Sequence, residues 1–173
     1  MNTTDKKVWV RALTIASIAA AGAFLSGCSL LGQVQNITDG GGGDSSGDDD
    51  VFQIKVGECF NDETPEGETV SSVEKVDCAE PHIWEAYKSI IIEEGDGTYP
   101  GEDVVTAKSE TDCKAAFAEY VGIDYDSSTL YLSFYYPTQE TWDQINDREI
   151  LCIVTTTDDF TTKTTGSVEG AAI

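Results

Sequence analysis

The chain has 173 residues and a formal net charge of −22, because 32 acidic residues stand against only 10 lysine and arginine residues. Such a charge excludes nucleic acid as a partner, since phosphates are bound by lysine and arginine side chains that displace counterions. Anionic lipid head groups are repelled for the same reason. Basic proteins, cations and neutral groups remain as partners. Alternatively, the acidity has no partner and only keeps a single domain soluble and monomeric.

The first 27 residues have the organisation of an export signal. Positive charge up to Arg11 is followed by an uncharged apolar run over residues 12–25. That run is shorter than the roughly 20 residues that a membrane-spanning helix needs, and it suits the apolar core of a signal peptide. Leu25-Ser-Gly-Cys28 resembles the lipobox of bacterial lipoproteins, in which a diacylglycerol is attached to the cysteine. We predict a signal peptide over residues 1–27 and a lipid anchor on Cys28, at the extracytoplasmic face of the cell membrane.

Residues 28–50 have the composition of a tether. They are rich in glycine, serine and aspartate and offer almost nothing to bury, which predicts a disordered acidic linker. Their acids lack the alternating pattern of a calcium-binding loop. The leader carries a net charge of +2 (Lys6, Lys7 and Arg11 against Asp5), which leaves the remaining chain at −24. We therefore expect lipid to hold the folded domain, residues 51–170, at the membrane while charge holds it off the lipid surface.

The hydrophobic pattern after residue 50 predicts a small α+β domain. Strands are predicted over residues 52–56, 69–76, 82–92, 131–136 and 149–156. A helix is predicted over residues 102–121, ended by Gly122, and Thr138 with Thr141 predicts the cap of a short second helix. We expect an antiparallel sheet with one main helix packed on one face. Residues 157–173 are polar and threonine-rich, and this composition predicts a loose tail.

Four cysteines remain after Cys28, and an exported protein normally forms disulfides. Three pairings of four cysteines exist. We favour Cys59–Cys78, which would close a strand pair, and Cys113–Cys152, which would join the main helix to the last strand. A zinc site is the alternative, but it normally uses closely spaced pairs, and no two of these cysteines lie within 18 residues of each other. We predict no metal site and no cofactor.

The sequence lacks the motifs of the common enzyme classes. His82 is the only histidine, so a nucleophile activated by histidine would depend on it. No phosphate-binding glycine loop is present. We predict that the protein is not an enzyme and name no catalytic residue. A hydrolase that uses two carboxylates is the remaining alternative.

Aromatic residues are the other candidates for function. A strand over residues 131–136 would place aromatic rings on both of its faces. One face is expected in the core, whereas the other is either core as well, which we favour, or a contact patch for glycan or protein. Trp84, Tyr135 and Tyr136 are therefore named as candidate binding residues.

Several stretches together resemble the actinobacterial septum formation domain family. Val56-Gly-Glu-Cys-Phe60 is similar to the opening of that domain. Val76-Asp-Cys-Ala-Glu-Pro-His82, with Glu85 three residues on, is similar to its Cys-x-x-Pro-His motif. The family order continues through Cys113, Tyr136-Pro-Thr138, Trp142, Asp147-Arg148, Cys152 and Thr165-Gly-Ser167.

The resemblance implies a membrane-tethered envelope protein of high-GC Gram-positive bacteria with the same four-cysteine framework. It marks His82 and Arg148 as further candidate binding residues. It also implies that residues 157–170 belong to the domain, although their composition predicts a loose tail. It supplies no catalytic residue. We expect a non-catalytic module that binds a division or wall-synthesis protein. A lipoprotein that binds a cation or a small envelope molecule is the alternative.

Overall fold

The structure is a computed structural model that describes residues 9–12, 49–64, 68–93 and 97–173. Its strands are β1 Trp9–Ala12, β2 Asp49–Asp50, β3 Cys59–Asn61, β4 Ser72–Val76, β5 Trp84–Ile91, β6 Tyr131–Tyr136 and β7 Glu149–Thr155. Its helices are α1 Glu102–Val121 and α2 Gln139–Ile145. The strands form one sheet in the order β1-β6-β7-β5-β3-β4-β2. All pairings from β2 to β7 are antiparallel, and α1 is the one main helix, so the predicted α+β fold is confirmed.

The edge strand β1 lies within the predicted signal peptide. Its backbone runs parallel to β6, with Trp9 aligned to Ser133 and Ala12 to Tyr136. The predicted cleavage before Cys28 would remove β1 and open that edge of β6. Cys28 itself lies outside the described residues, as do residues 13–48. Among the described ranges, no helix has the length and apolar character to cross a membrane.

The main helix begins and ends where its sequence predicts. Acidic residues occupy its first turn, where they interact favourably with the positive end of the helix dipole. Gly122 adopts a left-handed conformation (φ 91°) and donates its N–H to the carbonyl of Ala118, which ends the helix. One stripe at a spacing of four residues is buried against the sheet: Val105, Ser109, Cys113, Phe117 and Val121.

The short helix α2 is fixed by its predicted cap. Thr138 Oγ1 accepts a hydrogen bond from the backbone N–H of Thr141 (3.1 Å), and Thr141 Oγ1 accepts one from the N–H of Thr138 (2.9 Å). This reciprocal pair satisfies two N–H groups that have no partner within the helix. Asn146 ends the helix in a left-handed conformation (φ 58°). The cap and the stop together place Trp142 beside Arg148, at the start of β7.

Both faces of the sheet are buried, which explains the aromatic residues on both faces of β6. Phe134 lies in the core beneath α1, together with Phe117 and Ile150. Tyr135 lies in a second core on the opposite face, which is covered by side chains from outside the sheet: Val51, Ile54, Val70 and Phe160. The exposed fractions of Phe134 and Tyr135 are both 1 %. The favoured interpretation, that both faces are core, therefore agrees with the structure.

The strand predicted over residues 52–56 is wrong. Val51–Gln53 form a 3₁₀ turn, in which Asp50 Oδ1 accepts a hydrogen bond from the N–H of Phe52 (3.0 Å). Val51 and Ile54 are both buried, and a spacing of three residues suits a turn rather than a strand, whose side chains alternate. Asp49 and Asp50 pair with β4, so strand pairing at this edge of the sheet begins two residues before the predicted domain boundary.

The C-terminal residues 157–173, called the closing segment below, are packed against the domain. Phe160 and Val168 are buried, and the N–H of Gly170 donates to the carbonyl of Tyr120 (2.8 Å). The loose tail that composition predicts is therefore wrong. The segment takes its structure from tertiary contacts that polar composition does not reveal.

Candidate functional site

The family motifs meet around a buried glutamate at the start of β5. Glu85 is only 2 % exposed. Its Oε1 accepts hydrogen bonds from Tyr120 Oη (2.6 Å) and Ser167 Oγ (2.5 Å), and its Oε2 accepts one from the N–H of Val168 (2.8 Å). A buried carboxylate is stable only with such donors. These four residues, called the Glu85 junction below, tie α1 and the closing segment to the sheet.

The hydrogen bond to Glu85 also acts on Tyr120. Burial raises the pKa of Tyr120 well above its usual value, and the bond to Glu85 raises it further, because a phenolate could not donate to a carboxylate. Tyr120 is therefore a neutral donor at any physiological pH. The junction is an anchor for the closing segment, and Tyr120 is not poised to take up or release a proton.

His82 lies beside this junction and is also used internally. Its backbone N–H and carbonyl both pair with Thr164 of the closing segment, each at 2.9 Å. Its Nδ1 lies 2.8 Å from the carbonyl oxygen of Glu80. A carbonyl can only accept, so Nδ1 carries the proton of that bond. Cys59 brings the disulfide to the same place: one atom each of Cys59, His82 and Glu85 lie within 4.8 Å of one another.

Both predicted disulfides are confirmed. Cys59–Cys78 joins β3 to the residues after β4, and Cys113–Cys152 joins α1 to β7. The first bridge holds the Cys-x-x-Pro-His motif against the Glu85 junction, where Gly166 donates its N–H to the carbonyl of Cys78 (2.6 Å). The second is fully buried beneath the main helix.

A second cluster of motif residues lies at the other end of the sheet. The guanidinium of Arg148 stacks on the ring of Trp142, 3.5 Å from its centroid. Its Nη1 donates to the carbonyls of Trp142 (2.9 Å) and Asp147 (2.8 Å), while Trp142 Nε1 donates to the carbonyl of Gly97 (2.9 Å). This Trp142–Arg148 corner joins α2, β7 and the loop before α1.

Asp147 supports the corner from within. Its carboxylate accepts hydrogen bonds from Thr141 Oγ1 (3.0 Å) and the N–H of Glu149 (3.1 Å). Burial raises the pKa of Asp147, and these two hydrogen bonds and the charge of Arg148 oppose that rise. The carboxylate therefore positions the chain between α2 and β7.

The structure separates the candidate binding residues. His82 precedes the start of β5, whereas Arg148 lies at its far end, where its carbonyl accepts from the N–H of Ile92 (2.8 Å). Trp84 is fully buried and stacks on Phe160, with ring centroids 5.7 Å apart. Tyr135 and Tyr136 are buried as well, and each donates to a carboxylate, Asp62 (2.7 Å) and Glu102 (3.0 Å) respectively.

Of the candidates, only Arg148 keeps appreciable exposure, and the binding roles stay predictions. The surface of the described residues includes the following two depressions. One, of about 450 Å³, lies between α1 and β5 and includes Lys88, Glu119 and Tyr120. The other, of about 510 Å³, lies over the Cys59–Cys78 bridge.

The roles of two residues in these internal contacts were not predicted from the sequence. The role of Tyr120 was hidden because its position on the helix face also suits a core residue. Asp62 gave no signal, because one acid among 32 is unremarkable until Tyr135 is seen to donate to it. Ser167 carried a signal only through its place in the closing motif.

Comparisons with known proteins identify the family of this chain. A family model described as septum formation matches residues 56–172, which is more than half of the chain. No curated protein and no solved structure gives a significant match. The matched range includes both disulfides, the Glu85 junction and the Trp142–Arg148 corner. The chain therefore belongs to the septum formation family.

Proposed function

We propose that this chain is a membrane-anchored extracytoplasmic lipoprotein whose domain is a non-catalytic interaction module in septum formation or cell-wall processes. Family membership supports the coarse part of this role, an involvement in cell division. The predicted signal peptide and lipid anchor on Cys28 supply the location.

One observation carries the non-catalytic part of the proposal. Glu85 is the most buried acid of the motifs, and its carboxylate accepts three hydrogen bonds from groups inside the fold. Asp62 and Asp147 likewise accept hydrogen bonds from neighbouring side chains or backbone. A carboxylate hydrolase needs two acids that face a substrate across a cleft. Because these buried acids hold neighbouring parts of the fold together, they favour a rigid scaffold whose exterior makes the contacts.

The exterior offers a candidate contact region at the end of the sheet that bears Arg148. Ile91, Val104 and Ile145 are large apolar residues with exposed fractions of 57 %, 55 % and 48 %. They lie at the end of β5, in the first turn of α1 and at the end of α2, and the Trp142–Arg148 corner contacts residues just after β5 and in the loop before α1. Acidic residues stand close to them in the chain: Asp103, Asp143 and Glu149. This combination suits a basic segment with apolar side chains on a division or wall-synthesis protein.

The tether enters at the opposite end. Cys59 aligns with both Val76 of β4 and Glu85 of β5. Asp49 aligns with Val73, three residues before Val76. Because Val76 lies level with Glu85, the point where the tether meets the domain lies near the start of β5. Ile91 lies at the other end of that strand. An anchor at one end thus leaves the apolar residues directed away from the attachment point.

Cross-linking in intact cells, followed by capture of the full-length protein, tests the proposal. We expect recovery of a division or wall-synthesis protein with the wild type, and loss of that protein with the double variant Val104→Asp, Ile145→Asp. Val56→Asp is the matched control, because Val56 is 46 % exposed but lies at the other end of the domain, beside Gly57, which pairs with Ala86. Equal capture by both variants, or a deletion strain with normal septa, would contradict the proposal.

The alternative of a ligand- or cation-binding lipoprotein has less support. Its aromatic candidates Trp84, Tyr135 and Tyr136 are buried. Thermal stability measured with calcium, magnesium and wall fragments tests this alternative, since a ligand that binds only the folded state must raise the melting temperature.

A further inference from the structure

We propose that the reduced form of this domain binds zinc or a similar thiophilic divalent metal ion through Cys59, Cys78, His82 and Glu85. This inference goes beyond the interaction role and does not depend on it. Sulfur, imidazole and carboxylate are all zinc ligands, and four of them complete a tetrahedral site. The cysteines are 19 residues apart in the chain, so they do not match the closely spaced cysteine pairs by which zinc sites are recognised in a sequence.

The fold already assembles the donors. Ligand atoms of Cys59, His82 and Glu85 lie within 4.8 Å of one another, and Cys78 is bonded to Cys59. In a tetrahedral zinc site with Zn–S of about 2.3 Å, neighbouring ligand atoms are about 3.5–4 Å apart. The three donors therefore need to approach one another by at most about 1.3 Å. The two sulfur atoms must separate by about 2 Å, which the loss of their bond permits.

The disulfide decides whether the site exists. Both sulfur atoms are engaged in the S–S bond, so the oxidised domain offers only His82 and Glu85 to a metal ion. Reduction adds two electrons and two protons and yields two thiols. Metal binding then releases both thiol protons to solvent and leaves two thiolates as ligands.

His82 is oriented as metal-binding histidines usually are. Its Nδ1 donates to the backbone carbonyl of Glu80, a contact that fixes the tautomer and leaves Nε2 with a lone pair. Glu85 keeps acceptor capacity as well. Its Oε2 receives a single hydrogen bond, from the N–H of Val168, whereas each carboxylate oxygen has about two acceptor positions. A metal ion bound through Nε2 of His82 and Oε2 of Glu85 would leave both residues with their present partners.

Access to the two disulfides differs sharply. Cys78 is half-exposed and lines the surface depression of about 510 Å³ together with Gly57, Lys75 and Asp77. Cys113 and Cys152 both have an exposed fraction of 0 %. A dithiol reductant can attack Cys78 Sγ, so that the S–S bond breaks and its electron pair leaves on Cys59 Sγ, which is then protonated. The second thiol of the reductant then displaces Cys78, and the reductant departs as a disulfide.

The test uses the full-length protein, treated with dithiothreitol under native conditions and desalted without oxygen. Mass spectrometry after alkylation should find Cys59 and Cys78 modified while Cys113 and Cys152 stay paired. Titration with zinc chloride should then show one zinc ion bound per reduced chain and none at this site in the oxidised chain. Cobalt chloride should produce the charge-transfer absorption of thiolate-bound cobalt.

Matched variants separate a built site from adventitious binding by two thiols. His82→Gln should weaken zinc binding at least about tenfold, and Glu85→Gln should act in the same direction. Asp77→Asn, in the same depression but not a donor, should leave the affinity unchanged, and circular dichroism should confirm that each variant is folded. The proposal is overturned if the reduced chain binds no zinc, if His82→Gln binds as tightly as the wild type, or if reduction of this pair unfolds the domain.

Discussion

Tyr120 of α1 donates a hydrogen bond of 2.6 Å to Glu85 of β5, and Ser167 donates to the same oxygen atom. One buried carboxylate thus holds the main helix, the sheet and the closing segment together. Hydrogen bonds to charged groups are worth about 1.5–3 kcal/mol, so the junction should matter for the stability of the whole domain.

Removing one donor of the junction tests this directly. We expect Tyr120→Phe to lower the free energy of unfolding by about 1.5–3 kcal/mol, because one lone pair of the buried Glu85 loses its donor. Urea denaturation measures the change. Glu119→Gln is the control, since Glu119 is an exposed neighbour on the same helix that forms a surface ion pair with Lys88, and it should cost less than about 1 kcal/mol. Equal losses in the two variants would refute the role of the junction.

Packing of the closing segment gives the second prediction. Phe160 is 4 % exposed and stacks on Trp84. Truncation of a buried phenylalanine usually costs about 3–5 kcal/mol, so we expect Phe160→Ala to destabilise the domain by that amount. The exposed neighbour Asp158→Ala serves as control. If Phe160→Ala changes the urea midpoint no more than the control does, the closing segment is not part of the cooperative fold.

The Trp142–Arg148 corner gives the third prediction. Lysine cannot reproduce the planar stacking of Arg148 on Trp142 while also donating to two carbonyls. We therefore expect Arg148→Lys to lower the free energy of unfolding by about 1–2 kcal/mol, although the charge is kept. Lys108→Arg, in the exposed pair with Asp112, should be neutral within about 0.5 kcal/mol. A neutral Arg148→Lys would show that only the charge matters.

The tyrosines predict how stability responds to alkaline pH. Burial raises the pKa of Tyr87, and burial with a carboxylate partner raises the pKa of Tyr120 and of Tyr136. The unfolded chain loses these protons near pH 10, whereas the folded chain retains them. Their contribution is therefore fully present below about pH 10 and is lost as the pH rises further. Urea midpoints should fall above about pH 10, and less steeply in Tyr120→Phe, which has one group fewer to titrate.

The anchor predicts where the protein is found in the cell. Cys28→Ala removes the only thiol in the predicted lipobox, so we expect the protein to leave the membrane fraction. Its fold should be unchanged, because the two disulfides and both cores lie beyond residue 48. Fractionation and circular dichroism check the two statements separately. A Cys28→Ala protein that stays in the membrane fraction would overturn the lipoprotein assignment.

Local structure could be predicted where the signal lies within a few residues. Acids in the first turn and Gly122 at the end mark the bounds of α1, because helix termini need groups close in the chain. The cap of α2 by Thr138 and Thr141 follows from the same need. The disulfide pairing, one of three that four cysteines allow, was favoured from the positions of the predicted strands and helix. By contrast, the alternation over residues 52–56 was misleading, because Val51 and Ile54 also fit a turn.

The sequence by itself thus determined the helices, most of the strands, the cysteine framework and the family. Only the tertiary structure decided what the motif residues do. It placed Glu85 against Tyr120 and Ser167, closed the second core with Phe160, and set His82 and Arg148 at opposite ends of β5. The reason is physical: a carboxylate in a sequence is one acid among 32, and its burial and its donors come from segments far apart in the chain. Long-range packing alone turns it from a solvated charge into the anchor of the fold.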